Sequence, residues 1–252
     1  MKPETVAAFD RYIAKTEAQM KDDLGADRFL TIDRLPDQQR KEAYEQVRRG
    51  EFYIEELQTL ENGQQIRIPN GLVHHWVGVM FIPNVKVSET DAVLHDYANE
   101  ASTYNPQIRR ARLIQQNGNE SKIYLQFYNK SIITVVLDAY FDVMETQMGN
   151  DRIQSIAHST RVVEVLNPGT PNEHERTDGV DHGYMWRLCS YWRIEEKDGG
   201  TYVENESITL TRTVPVMLAW IINPLTKTIP RDVLQLTLTN TRNAVLKNRP
   251  TN

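Results

Sequence analysis

Between Tyr184 and Ile194 two sets of side chains alternate, and in a strand those sets point to opposite faces. One set is Tyr184, Trp186, Leu188, Ser190, Trp192 and Ile194; the other is Met185, Arg187, Cys189, Tyr191 and Arg193. The first is the better core face, although either could point inward, because a cavity tolerates an inward Arg that meets a carboxylate or a ligand head group. Glu204 and Glu206 on the next strand are the partners expected for Arg187 and Arg193, so an ion pair stands beside a ligand-anchoring role. Tyr124, Tyr128, His158, Arg161, Arg187 and Tyr191 are the types able to do acid–base work where desolvation moves their pKa values toward neutrality. The plainer reading makes most of these aromatics sheet packing and His158 a structural residue.

His74 and His75 are adjacent, so on a strand they cannot both serve one pocket. His74 shares a face with Trp76; if Trp76 lines a cavity, His75 points away. The nearest His and Asp cluster, His174, Asp178, Asp181 and His182, falls in a polar loop without recognisable ligand spacing, so no metal and no cofactor is expected. The sequence has no Ser/His/Asp spacing, no Gly-rich phosphate loop and no Cys/His pair. Cys189 is the only cysteine, which excludes an intrachain disulfide and reads as a small buried apolar residue.

The 252 residues suffice for one large domain or two small ones. With 40% hydrophobic and 25% charged residues and a net charge of -5, the composition is globular and argues against a nucleic-acid partner. The longest apolar run is Val216 to Ile222, so neither a retained signal peptide nor a spanning helix is expected. A soluble protein follows, cytoplasmic or exported after loss of a leader, with the compartment open.

The elements that must position these residues follow from periodicity. Val6, Phe9, Ile13, Met20 and Leu24 mark an amphipathic helix that stops at Gly25. A second, from Asp37 to Arg49, opens at Pro36 and stops at Gly50. Phe52 to Leu60 and Gln64 to Ile68 flank Asn62-Gly63 as a hairpin, and Leu72 to Ile82 reads as a long strand. Ser88 is placed as the cap of a short helix carrying Leu94 and Tyr97. Strands are then expected over Ile108–Gln115, Lys122–Tyr128, Ile132–Met144, Ile153–Leu166, Tyr184–Glu195 and Tyr202–Thr213, separated by turn residues such as Asp198-Gly199-Gly200. The apolar stretch around Trp220-Ile221-Ile222 breaks at Asn223-Pro224, and a helix restarts at Pro230 with Leu234, Leu238, Thr241 and Val245 on one face. Alternation of Leu234, Leu236 and Leu238 leaves a strand there as the lesser option.

This order resembles the helix-grip fold of the START and SRPBCC superfamily. The likeness is carried by Gly71-Leu72-Val73-His74-His75-Trp76-Val77-Gly78, by Asp181 to Leu188, by Ser190-Tyr191-Trp192-Arg193 and by the tail from Thr213-Val214-Pro215 to Ile229-Pro230-Arg231. It implies an α+β fold in which a curved antiparallel sheet wraps a long C-terminal helix. Residues 1–69 form a helical extension and hairpin, and 70–252 the START-like ligand-binding domain. The resemblance further implies a deep pocket for an apolar small molecule such as a lipid, sterol or polyketide. The candidate wall and anchor residues are Trp76, Tyr124, Tyr128, His158, Arg161, Arg187, Tyr191, Trp192, Trp220, Leu234 and Leu238. Trp220-Ile221-Ile222 is either a lid that touches a membrane during exchange or a buried seat for the tail. A non-enzymatic carrier or sensor is the leading expectation; a cyclase-, dehydratase- or hydrolase-like enzyme is the alternative, and a structural module with a self-filled pocket the third.

Overall fold

The computed structural model describes residues 1–130, 134–213 and 219–249, with the backbone alone over 219–229. Its centre is an antiparallel sheet in the order β1-β4-β11-β10-β8-β7-β6-β5. These strands are β1 Tyr53–Glu56, β4 Gly71–Pro83, β5 Ile108–Asn117, β6 Glu120–Lys130, β7 Thr134–Met148, β8 Arg152–Leu166, β10 Arg187–Lys197 and β11 Gly200–Arg212. A two-residue strand, β9 His174–Glu175, pairs with β8, and β2 Leu60–Glu61 pairs with β3 Gln64–Gln65 as a separate hairpin. The expected strand run is present. Of the expected Ile132–Met144 strand, residues 131–133 lie outside the described residues.

Turn chemistry sets the registers. Lys197 pairs with Gly200 across a two-residue loop in which Asp198 and Gly199 have φ of 56° and 73°, as a type I′ hairpin requires. Asn62 and Gly63 do the same for the β2–β3 hairpin. Because β1 pairs with β4, the sheet reaches back before residue 70.

Helices cover both faces of the sheet. On the inner face lies α5, Ala219–Lys247, whose buried Leu234, Leu238 and Val245 pack with Trp76, Met80, Ile82, Ile153, Ile194 and Val203. The sheet wraps this helix, as expected of a helix-grip fold. The expected break at Asn223-Pro224 and restart at Pro230 are replaced by one continuous helix; the prolines remove intrahelical donors without ending it. At Gly78 an added Cβ would lie 2.6 Å from Leu238 Cδ1, so the glycine is what lets α5 approach β4.

On the outer face, α1, Pro3–Gly25, sets Phe9, Tyr12, Ile13 and Met20 against Cys189, Tyr191, Ile208 and Leu210. The 3-10 turn Thr31–Arg34 and α2, Asp37–Arg48, bring Leu30, Ile32, Ala43, Tyr44 and Val47 onto Val79, Phe81 and Tyr202. The N-terminal helices therefore cover the face opposite α5 over β4, β11 and β10.

Between β4 and β5 run α3, Val87–Leu94, and α4, Glu100–Thr103. The cap of α3 is Lys86 rather than Ser88, with Glu89 accepting from Lys86 N at 2.8 Å. Tyr104, which follows α4, packs with Ile108, Ile123, Leu125, Phe141 and Val143. Its hydroxyl meets Thr241 Oγ1 of α5 at 3.0 Å.

Candidate functional site

Register and alternation place His74, Trp76, Gly78, Met80 and Ile82 of β4 on the inner face. Beside them stand Thr211, Thr209, Ser207, Asn205 and Val203 of β11, then Leu188, Ser190, Trp192 and Ile194 of β10, then Ala157 and Ser155 of β8. One end of this face is fully packed under α5. Toward the other end His74, Leu188, Ser190, Trp192, Ser207, Thr209 and Ala157 are only half-buried. None of these residues carries a formal acid or a guanidinium.

The polar atoms here are hydroxyl, amide, indole and imidazole groups. Asn205 Nδ2 donates to Ser190 Oγ at 3.0 Å, and His74 Nε2 lies 3.2 Å from Thr211 Oγ1. Burial pushes the His74 pKa below the usual imidazole value, so the ring is neutral near pH 7. Trp76 is 8% exposed, and its Nε1 has no hydrogen-bond partner among the described residues. A buried N–H without an acceptor is costly, and a ligand oxygen would satisfy it.

Of the sequence-predicted residues, Trp76, Trp192, Leu234 and Leu238 are on this face or on the helix above it. The side chain of Trp220, and with it the lid reading, lies outside the described residues. Tyr124, His158, Arg161, Arg187 and Tyr191 stand on the opposite face, away from α5. Tyr124 OH donates to Asp138 Oδ1 at 2.6 Å, and Arg161 makes a two-pronged pair with Glu175. Arg187 Nη1 donates to Ser159 O at 3.1 Å. His158 Nε2 lies 2.7 Å from Glu17 Oε1 of α1, which also accepts from Tyr191 OH at 3.0 Å. Trp186 precedes β10, packs in the α1 cluster and donates Nε1 to Asp181 at 2.5 Å. The face carrying Leu188 to Ile194 is the one toward α5, and its opposite face became a second core because α1 covers it.

His75 points away from Trp76, as their adjacency requires. Its Nδ1 meets Tyr12 OH at 2.9 Å and its Nε2 meets Glu206 Oε1 at 2.7 Å. Thr59 N donates to the same Tyr12 oxygen at 2.8 Å, so Thr59, Tyr12, His75 and Glu206 form one hydrogen-bonded chain. Arg193 bonds Glu204 and lies 3.3 Å from Glu206 Oε2, which realises the expected cross-strand ion pair for Arg193, whereas Arg187 pairs with backbone carbonyls instead. The network ties the N-terminal helices to the sheet.

Tyr128 sits elsewhere, lining a cleft of about 570 Å³ with Ala101, Asn105, Pro106, Ile108 and Arg109. Arg109 stacks 5.7 Å from the Tyr128 ring centroid. The cleft neighbours α5, since Gln107 Nε2 donates to Val233 O at 2.9 Å.

One cluster was not anticipated. Asp91 and His95 at the end of α3 and Glu145 on the inner face of β7 bring one potential ligand atom each within 4.8 Å of the others. His95 Nε2 is 2.6 Å from Glu145 Oε2. Burial works against the His95 charge, but the Asp91 and Glu145 carboxylates outweigh it and hold its pKa at about 9. Desolvation pushes nearby Glu100 up to about 8 against the pull of His95. The four-residue spacing of Asp91 and His95 was visible in the sequence; Glu145 was not, because only the β7 register brings it close.

No protein-family model and no curated protein sequence matches the chain. Solved structures do. Human STARD10 matches at 13% identity over 73% of this chain and 68% of its own, with a TM-score of 0.50. A STAR-related lipid transfer protein from Xanthomonas axonopodis matches at 15% identity over 71% of this chain and 95% of its own, with a TM-score of 0.48. The Zhui aromatase/cyclase from Streptomyces sp. R1128 matches at 12% over 70% and 93%, with a TM-score of 0.40. The chain has a START-like helix-grip fold. Among the described residues no helix is long and apolar enough to cross a membrane.

Proposed function

We propose that the protein binds an apolar small molecule on the inner face of its sheet, beneath α5, with neutral polar groups as anchors. The observation that carries this reading is the half-buried, uncharged strip formed by His74, Leu188, Ser190, Trp192, Ser207 and Thr209, beside the unpartnered Trp76 Nε1. Apolar wall with a few convergent polar atoms is the usual make-up of a small-molecule site. Burying roughly 300 Å² of apolar ligand surface contributes about 7 kcal/mol before ordering costs, at about 25 cal/mol per Å².

The absence of charge on this strip selects among apolar ligands. An ionised fatty acid or a phosphate head group would be desolvated here without a cation, at high cost. A neutral molecule bearing hydroxyl or carbonyl oxygens, sterol- or polyketide-like, fits the Trp76, Ser190 and Thr209 groups. Native mass spectrometry of freshly purified protein, followed by titration with a neutral sterol and with a long-chain fatty acid, tests the reading. A neutral adduct and sterol binding that Ser190→Trp and Thr209→Trp abolish are expected. Ligand-free protein that ignores both probes would overturn it.

A second reading rests on His74. A neutral imidazole 3.2 Å from a threonine hydroxyl on the ligand face is placed to accept a proton, which suits a cyclase-, dehydratase- or hydrolase-like activity on the same class of molecule. His74→Asn would then abolish turnover while leaving ligand affinity nearly unchanged.

A further inference from the structure

The Asp91–His95–Glu145 cluster shares no residue with the ligand strip, and the function proposed above does not use it. It joins two pieces of chain, the end of α3 and β7. Its hydrogen bonding is incomplete. His95 Nδ1 lies 3.0 Å from Asp91 Oδ1 but bonds the Asp91 carbonyl at 3.1 Å, leaving Asp91 Oδ1 buried without a hydrogen-bond partner among the described residues. Glu100, on α4, likewise has a buried Oε2 with no partner there. A buried carboxyl oxygen left bare is costly, and the Asp91 and Glu145 carboxylates around one imidazole leave an excess of negative charge whatever proton the ring holds.

We propose that Asp91, His95 and Glu145, with Glu100 beside them, form a binding site for one divalent transition-metal ion. One imidazole nitrogen with carboxylate oxygens is a donor set for Zn2+ or Mn2+ rather than for Mg2+ or Ca2+, which take oxygen alone. The ion enters where Nε2 and Glu145 Oε2 now share a proton, and small side-chain rotations bring the carboxylates to it. It supplies the charge that the cluster lacks. It also fastens the α3–α4 excursion to the inner face of β7, at the rim of the sheet that holds α5.

The test uses the full chain, stripped with a chelator and titrated calorimetrically with ZnCl2, MnCl2 and MgCl2, alongside His95→Ala, Glu145→Gln and the control His182→Ala. Far-UV circular dichroism checks that each variant is folded. The expected result is saturable binding of one Zn2+ or Mn2+ per chain with a rise in melting temperature. Both effects should be lost in His95→Ala and Glu145→Gln, kept in His182→Ala, and absent for Mg2+. No saturable binding by the natural chain, or equal binding by a folded His95→Ala or Glu145→Gln chain, would overturn the site.

Discussion

Arg193 and Glu204 face each other in the β10–β11 register and are bonded together at 2% and 0% side-chain exposure, under helices that precede them by more than a hundred residues. Glu204 is held from the other side by Thr31, whose backbone N–H donates to Oε2 at 2.6 Å and whose hydroxyl donates to Oε1 at 3.1 Å. Glu206, next on the same face, accepts from His75 and lies 3.3 Å from Arg193. The charges are thus the junction between sheet and N-terminal cover.

Removing the cation alone leaves the buried Glu204 and Glu206 carboxylates side by side with no guanidinium between them. Arg193→Ala should therefore destabilise the protein by about 3–5 kcal/mol, the usual cost of orphaning a buried ion-pair partner. Urea unfolding measures it. A loss near that of a surface substitution would mean that the pair is hydrated and the N-terminal cover loose.

His74 gives a pH dependence of defined sign. Its folded pKa lies below the unfolded value because burial penalises the imidazolium. The stability it contributes is fully present above the unfolded pKa of about 6.5 and is lost as the pH falls through the lower folded value. Imidazole NMR resonances should show His74 titrating below that point, and His74→Asn should flatten the fall of stability on the acid side of pH 6.5. A His74 that titrates at or above the ordinary value would contradict its partial burial on the inner face.

Periodicity and turn residues made the strand run legible, since Asp198-Gly199 and Asn62-Gly63 dictate where the chain reverses. Alternation separated Trp192 from Arg193 correctly. It could not say which set α5 would cover, because a strand buried on both sides offers two apolar faces, and Tyr191 and Cys189 became core only when α1 settled on them. His158 and Arg161 were legible as chemistry-bearing types, yet their partners Glu17 and Glu175 come from a distant helix and a two-residue strand. His95 and Glu145 are fifty residues apart, and only the placement of α3 beside β7 joins them.

Gly78 is the point of closest approach between β4 and α5. A methyl there meets Leu238 Cδ1 at 2.6 Å and Leu234 Cδ2 at 3.2 Å, both in a packed core. Gly78→Ala should cost about 1–3 kcal/mol, as overpacking does. Combined with Leu238→Val, which removes part of the obstructing side chain, it should cost less than the sum of the two single changes in denaturant unfolding. Strict additivity would place α5 farther from the sheet.

Cys189 reports on whether α1 is seated. It is the only cysteine, 6% exposed, and packed with Phe9, Tyr12, Ile13 and Met20. Burial, and behind it the charge of Glu17, push its thiol pKa up to about 12. A thiol reagent needs both access and thiolate, so the native protein should react very slowly at neutral pH and the urea-unfolded protein at once. Phe9→Ala, which empties the α1 side of this cluster, should speed labelling strongly. Leu238→Ala, on the other side of the sheet, should accelerate it only as far as global stability falls. Fast labelling of the native chain would show that α1 leaves the sheet readily and that the outer face is not a sealed core.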